Sequence, residues 1–143
     1  AVEEAEFEAW VAEQQQPAEI PTEGAALAGW ETYQVVCTAC HNATGATPPV
    51  SREITANVGD ETFVFEASLA PDLTHFGSRT TFGGASFEWD RDHLRSWLAN
   101  PADLKPMRPD QNDIANGRIL GMPNFDLTDA EIDNLIALLE AWQ

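Results

Sequence analysis

Positive charge is scarce in this 143-residue chain, where seven Lys and Arg stand against 24 Asp and Glu for a formal net charge of −17. Such a surface repels nucleic acid phosphates and anionic lipid headgroups, which argues against both as partners. It would steer a basic protein into contact, or simply keep the chain solvated in high salt; charge alone does not decide. No apolar run approaches the ~18 residues that a membrane span requires. The chain opens Ala1-Val2-Glu3-Glu4, without the basic region and apolar stretch of a leader. Cysteine is limited to two residues and histidine to three. A zinc site therefore lacks its second ligand pair, since His75 and His93 stand 18 residues apart. No internal repeat is visible. What is left is an ordinary apolar fraction, 43%, enough for one compact domain and a little more.

Both cysteines fall in one pentapeptide, Cys37-Thr38-Ala39-Cys40-His41. Two thiols two residues apart can add across the two vinyl groups of a porphyrin, and the histidine that follows is placed to ligate its iron. The pattern is that of covalent haem c attachment. A redox Cys-x-x-Cys pair belongs in a strand-to-helix context and has no need of the histidine. A group as large as haem would also add apolar surface to a small core. Attachment of this kind takes place outside the cytoplasm. The expectation is therefore an extracytoplasmic protein, on the periplasmic face of the membrane, whose leader or anchor has been removed or replaced: a mature or excised fragment.

Periodicity predicts the elements. Phe7, Trp10 and Val11 lie at helical spacing in an acidic run over residues 3–15, and Gln14-Gln15-Gln16-Pro17 with Ile20-Pro21 reads as a helix end and linker. A second helix starts after Thr22 and carries Ala26, Leu27, Trp30 and Tyr33 into the cysteine motif, with Gly29 and Tyr33 on one face. Residues 53–66 switch to a period of two around Gly59-Asp60, a β-hairpin. The segment from Pro71 to Gly84 is loop-like and holds Leu73, His75 and Arg79. Trp89 and Leu94 bracket Asp90 as a staple around an N-cap, and the helix that follows, with Leu94, Trp97 and Leu98, should stop before Pro101. A Pro-rich irregular stretch runs through Met107 to Gly121-Met122-Pro123. The last helix opens with a capping box, Thr128-x-x-Glu131, and continues with Ile132, Leu135, Ile136 and Leu139.

A haem held by His41 needs a ligand on its other face. Met122 is the first choice, because Pro123 keeps its loop out of a helix just before the terminal one. Met107, between Pro106 and Pro109, is the alternative. Histidine with a thioether favours ferrous iron and a comparatively high reduction potential, and leaves no open position for oxygen chemistry. The task expected is outer-sphere electron transfer, so the domain is not an enzyme on its own. His41 would donate from its second ring nitrogen to a backbone carbonyl. His75 and His93 are expected to be structural or exposed instead of ligands.

From Gly29 to Trp142 the chain resembles class I cytochrome c, on Gly29-x-x-x-Tyr33, the Cys37–His41 motif, Pro71-Asp72-Leu73, Met122-Pro123-x-Phe125 and the terminal helix. A narrower resemblance, on Ala70 to Arg79, Leu94-Arg95-x-Trp97-Leu98-x-Asn100-Pro101 and Leu104-Lys105-Pro106, is to the haem domain of subunit II of caa-type cytochrome c oxidases. Residues 6–15 resemble the tail of the preceding dicopper domain in those subunits.

The resemblance implies an all-α class I cytochrome c fold wrapped around one haem c, with a small antiparallel β-hairpin insertion at about 53–66. It implies a cytochrome c domain over 22–143, preceded at 1–21 by a helix and linker from the dicopper domain. Gly29 and Tyr33 would sit where the first and last helices of that domain cross, near Leu138 and Trp142. The Pro71 carbonyl would receive the His41 bond. Arg79 and Trp97 would meet a haem propionate, with a surface role for Arg79 and core packing for Trp97 as alternatives. Partners would be a soluble donor such as another cytochrome c, and the dicopper domain and other subunits of a membrane-anchored oxidase. An independent electron carrier, or a haem domain of another redox enzyme, is the alternative. Two departures stand out. The hairpin is long for this position, and Met122 lies 16 residues after Pro106.

Overall fold

The last helix is defined by its own first turn. Thr128 accepts from the Glu131 backbone N–H and the Glu131 carboxylate accepts in return from the Thr128 N–H, which satisfies two end groups at once. In the computed structural model, which describes residues 3–106 and 121–143, this is helix α5, Asp129–Ala141. Before it come α1 (Glu4–Gln14), α2 (Gly24–Val36), β1 (Ser51–Val58), β2 (Glu61–Ser68), β3 (Thr81–Phe82), β4 (Phe87–Glu88), α3 (Arg91–Ala99) and the single turn α4 (Pro101–Leu104). The architecture is mostly helical with small antiparallel sheets. Among the described residues no helix is long and apolar enough to cross a membrane.

The core is built where α2 crosses α5. Ile132, Leu135, Ile136, Leu138 and Leu139 bury the inner stripe of α5, and α2 brings Gly29, Trp30 and Tyr33 to meet it. Gly29 lets the two backbones touch: a Cβ there would stand 2.1 Å from the Asn134 carbonyl oxygen. Just beyond, Tyr33 meets Trp142 edge-on, with ring centroids 5.0 Å apart at 88°. The Trp142 indole N–H donates to the Glu19 carbonyl at 2.9 Å and so holds the segment after α1.

Helix α3 starts where its cap predicts, with Asp90 accepting from the His93 N–H at 2.8 Å, and ends at Ala99 before Pro101. Leu94 and Leu98 face the core, while Arg91 and Arg95 reach across to Glu140 and Asp133 of α5. The β3–β4 pair and the α4 turn were not expected from the sequence.

The predicted hairpin forms and is longer than 53–66. Its ladder runs from Val58↔Glu61 to Ser51↔Ser68, and Gly59 takes the left-handed φ of 63° in the two-residue loop. Its larger described apolar side chains do not join the core. Val58, Phe63, Val64 and Phe65 all stay exposed. Helix α1 behaves alike: it buries no residue, and Phe7 and Trp10, each 55% exposed, stack on one another at 6.0 Å.

Replacing Gly29 by Ala is expected to force α2 and α5 apart and to destabilise the domain by about 1–3 kcal/mol, the range for overpacking a closed core. Urea unfolding of Gly29→Ala beside the wild type measures it, and an unchanged midpoint would contradict the close crossing.

Candidate functional site

Helix α2 ends at the cysteine motif. Cys37 is its C-cap, and the Cys37 carbonyl then accepts from both Cys40 N–H at 3.1 Å and His41 N–H at 2.9 Å. One tight turn therefore gathers Cys37, Cys40 and His41. Both thiols are free, Cys37 buried and Cys40 exposed. Burial, then the neighbouring Cys40, pushes the Cys37 thiol up to about 12. A redox-active pair needs the opposite, a thiol shifted down toward neutrality, so this environment argues against disulfide chemistry.

The imidazole of His41 is held in one orientation. Its Nδ1 lies 2.8 Å from the Pro71 carbonyl oxygen, and since a carbonyl only accepts, Nδ1 carries the proton. Burial lowers the His41 pKa, and the bond to Pro71 only partly opposes it. The neutral ring thus presents its Nε2 lone pair, the form a metal ligand requires. Two free thiols and one oriented imidazole in a single turn are the donor set that covalent haem attachment needs, and the residues fit that group. Among the described residues no three His, Cys, Asp or Glu side chains gather as a metal site would, which leaves a zinc module no ligand set there.

The loop that supplies Pro71 is fastened to the motif. Leu73 N–H donates to the Asn42 carbonyl at 2.8 Å, and Thr44 N–H donates to Thr74 Oγ1 at 2.7 Å. Asp72 binds the Thr74 N–H at 2.8 Å and its hydroxyl, and the Thr44 hydroxyl at 2.9 Å. Burial alone would raise the Asp72 pKa, but the hydrogen bonds from Thr74 and Thr44, with nearby Arg79, outweigh it and hold the carboxyl below the usual range. Tyr33 closes the seat from α2, its hydroxyl donating to the His41 carbonyl at 3.2 Å. The importance of Thr74 was not read from the sequence. Its signal is local: Asp-x-Thr is the pattern of an Asx-turn.

The remaining candidates fall as follows. Arg79 is half-buried, donates to the Asp72 carbonyl and lies over the Phe76 ring at 5.4 Å. Trp97 packs among Phe82 and Phe87, each at 5.7 Å between centroids, and its indole N–H finds no acceptor among the described residues. Met122 is half-buried against the core cluster. Met107 lies outside the described residues. His75 directs Nδ1 to the Gln143 carbonyl at 2.9 Å, and His93 binds its own helix cap, Asp90, at 2.5 Å.

Among families of known proteins, a profile described as "Cytochrome c" matches residues 26–142. A search of curated proteins gives no significant match.

Because the Asp72 pKa is depressed in the folded state, its contribution to stability is complete above the ordinary carboxylate value near 4 and is lost as pH falls through the lower folded value. Urea midpoints measured between neutral and acid pH should therefore decline less steeply on the acid side in Asp72→Asn than in the wild type. Equal acid limbs would contradict the role of this carboxylate.

Proposed function

From the premise that the chain belongs to the cytochrome c family, we propose that it is the haem domain of subunit II of a terminal oxidase, taking electrons from a soluble donor and passing them to the dicopper centre of its own subunit. The family supplies the coarser part outright: residues 26–142 are a cytochrome c domain, an electron carrier and not itself catalytic, that binds haem c covalently through Cys37 and Cys40. When bound, haem c supplies a one-electron iron couple. Every other part falls to the chain.

The observation that carries the reading is the 2.8 Å bond from His41 Nδ1 to the Pro71 carbonyl. It leaves the neutral Nε2 free of the Pro71 carbonyl and fixes the ring, so that one iron ligand is oriented by the chain itself. Cys37 and Cys40 would hold the porphyrin through thioether bonds. Met122 would be the second iron ligand; its half-buried position and the flanking Pro123 favour it. Arg79 and Trp97 are assigned to the propionates, Arg79 as the charge and Trp97 through an indole N–H left free among the described residues. With histidine and thioether both bound, the iron would offer no coordination position to oxygen or peroxide.

The oxidase context rests on the resemblance of residues 70–79, 94–101 and 104–106, and on α1. A helix that buries none of its own side chains and leaves Phe7 and Trp10 exposed suits a segment whose packing partner belongs to another domain. Residues 1–21 are accordingly assigned to the preceding dicopper domain and 22–143 to the haem domain. The parent protein would be anchored in the membrane with this part on its extracytoplasmic side.

The purified protein is expected to show c-type absorption bands and the weak far-red band of methionine bound to ferric iron. That band should vanish in Met122→Ala and persist in Met107→Ala. Its persistence without Met122 would overturn the ligand assignment. Dicopper ligands and two membrane spans encoded upstream of Ala1 are the expected genetic context, and an independent start just ahead of Ala1 would overturn the oxidase assignment.

A further inference from the structure

The β1–β2 hairpin sorts its residues into two faces, because directly opposed residues of an antiparallel pair share a side. Along β2, Glu61, Phe63 and Phe65 lie on one face and Thr62, Val64 and Glu66 on the other; the register adds Val58, opposite Glu61, to the first, and Thr55, opposite Val64, and Glu53, opposite Glu66, to the second. The first face is apolar and open: Phe63 is 47% exposed, Phe65 49% and Val58 68%. A two-stranded ribbon is marginal in water until something covers its apolar side.

Charge selects the occupant. The hairpin carries Glu53, Asp60, Glu61 and Glu66 against Arg52 alone. Asp60 and Glu61 stand exposed at the tip beside the apolar face, and Glu53 and Glu66 oppose one another on the other face, where Ser51 donates to Glu66. Four cations with described side chains are engaged elsewhere. Arg91 and Arg95 bind acids of α5, Arg79 binds the Asp72 carbonyl, and Lys105 binds the Gly83 carbonyl at 2.8 Å. A second copy would bring −17 against −17, and an anionic lipid surface would be repelled in the same way. A protein with an apolar centre and a cationic rim fits both features.

The position of the hairpin gives that contact a use. Its first strand is entered from Val50, whose N–H donates to Asn42 Oδ1 at 2.5 Å, next to His41. Its second strand leads to Pro71, whose carbonyl accepts from His41. A partner seated on the hairpin therefore stands beside the loops that hold the iron ligand.

We propose that the β1–β2 hairpin is the docking element for a lysine-rich redox protein acting as electron donor, with Phe63, Phe65 and Val58 entering its apolar centre and Asp60 and Glu61, at the tip of the same face, meeting its cations. This rests on the electron-transfer reading above and names the class of its donor. The test is calorimetric titration of the haem-loaded protein with oxidised mitochondrial cytochrome c, a lysine-rich redox protein, at low and at physiological ionic strength. Phe63→Ser with Phe65→Ser should weaken binding about tenfold. Asp60→Asn with Glu61→Gln, which leaves Phe63, Phe65 and Val58 in place, should weaken it at low salt and flatten the salt dependence. Phe7→Ser on α1 should change neither. Failure of the wild type to bind, or unaltered binding in both hairpin variants, overturns the proposal. So does self-association of the wild type, or its binding to phosphatidylcholine vesicles, where the Phe63/Phe65 variant loses it. A chain that fails to acquire thioether-linked haem would instead defeat the functional reading itself.

Discussion

Everything at the site depends on how closely α2 approaches α5. Gly29 allows the α2 backbone to lie against the Asn134 carbonyl, and the contact between Tyr33 and Trp142 then sets the angle one turn further on. Four residues after Tyr33 the helix ends at Cys37. The attachment turn is thus the rigid continuation of the best-packed contact in the molecule, and its thiols inherit their position from it. Close helix packing of this kind admits little adjustment, since a core at crystal-like density passes a displacement on instead of absorbing it.

The second half of the site reaches the first through hydrogen bonds more than through packing. Thr74, buried between the two loops, accepts from Thr44 and is itself held by Asp72. Asn42 bonds on both sides, to Leu73 through its carbonyl and to Val50 through its side chain. Each bond contributes about 1 kcal/mol at most in net terms, but leaving a buried member unpaired would cost more than that. Such a network specifies geometry: the Pro71 carbonyl has one place to be, and so does the imidazole it receives. Tyr33 belongs to both systems, ring in the helix crossing and hydroxyl on the His41 carbonyl. It joins the packing of the core to the orientation of the ligand.

Those parts of the fold that local chemistry writes were legible in the sequence. The capping box at Thr128 and Glu131, the Asp90 cap of α3, the stop before Pro101 and the Gly59-Asp60 turn each bring their partners within four residues, so the pattern and the structure are nearly the same statement. The attachment motif is legible for that reason too. Thr74 shows only its local half, the turn with Asp72; its bond to Thr44, thirty residues away, has no local sign. The β3–β4 pair, two residues per strand, is too short to show a period. A different failure concerns α1 and the hairpin. Phe7 and Trp10, or Phe63 and Phe65, announce an apolar face correctly, but the pattern says nothing of what covers it, and in this chain neither face turns to the core. Trp97 shows the same ambiguity at one residue, since helical spacing fits packing beside Phe82 and Phe87 as well as a propionate contact.

The scarcity of positive charge acquires a structural meaning from where the cations stand. Arg91, two-thirds exposed, and Arg95 pair with α5 in water, where such bridges are worth about 0–1 kcal/mol. They orient α3 more than they stabilise it. Their effect on the surface is larger: with Arg79 and Lys105 also bound to backbone carbonyls, these four cations are engaged with internal partners and much of the acidic excess is left facing solvent. A domain that must meet a partner, pass one electron and release it gains little from tight binding. It gains from long-range attraction that raises the rate of encounter and is screened within about 8–10 Å at ordinary salt. Internal pairing of the few cations and an uncompensated acidic exterior are then one arrangement, in which the same residues that brace α3 against α5 leave the field of the molecule negative.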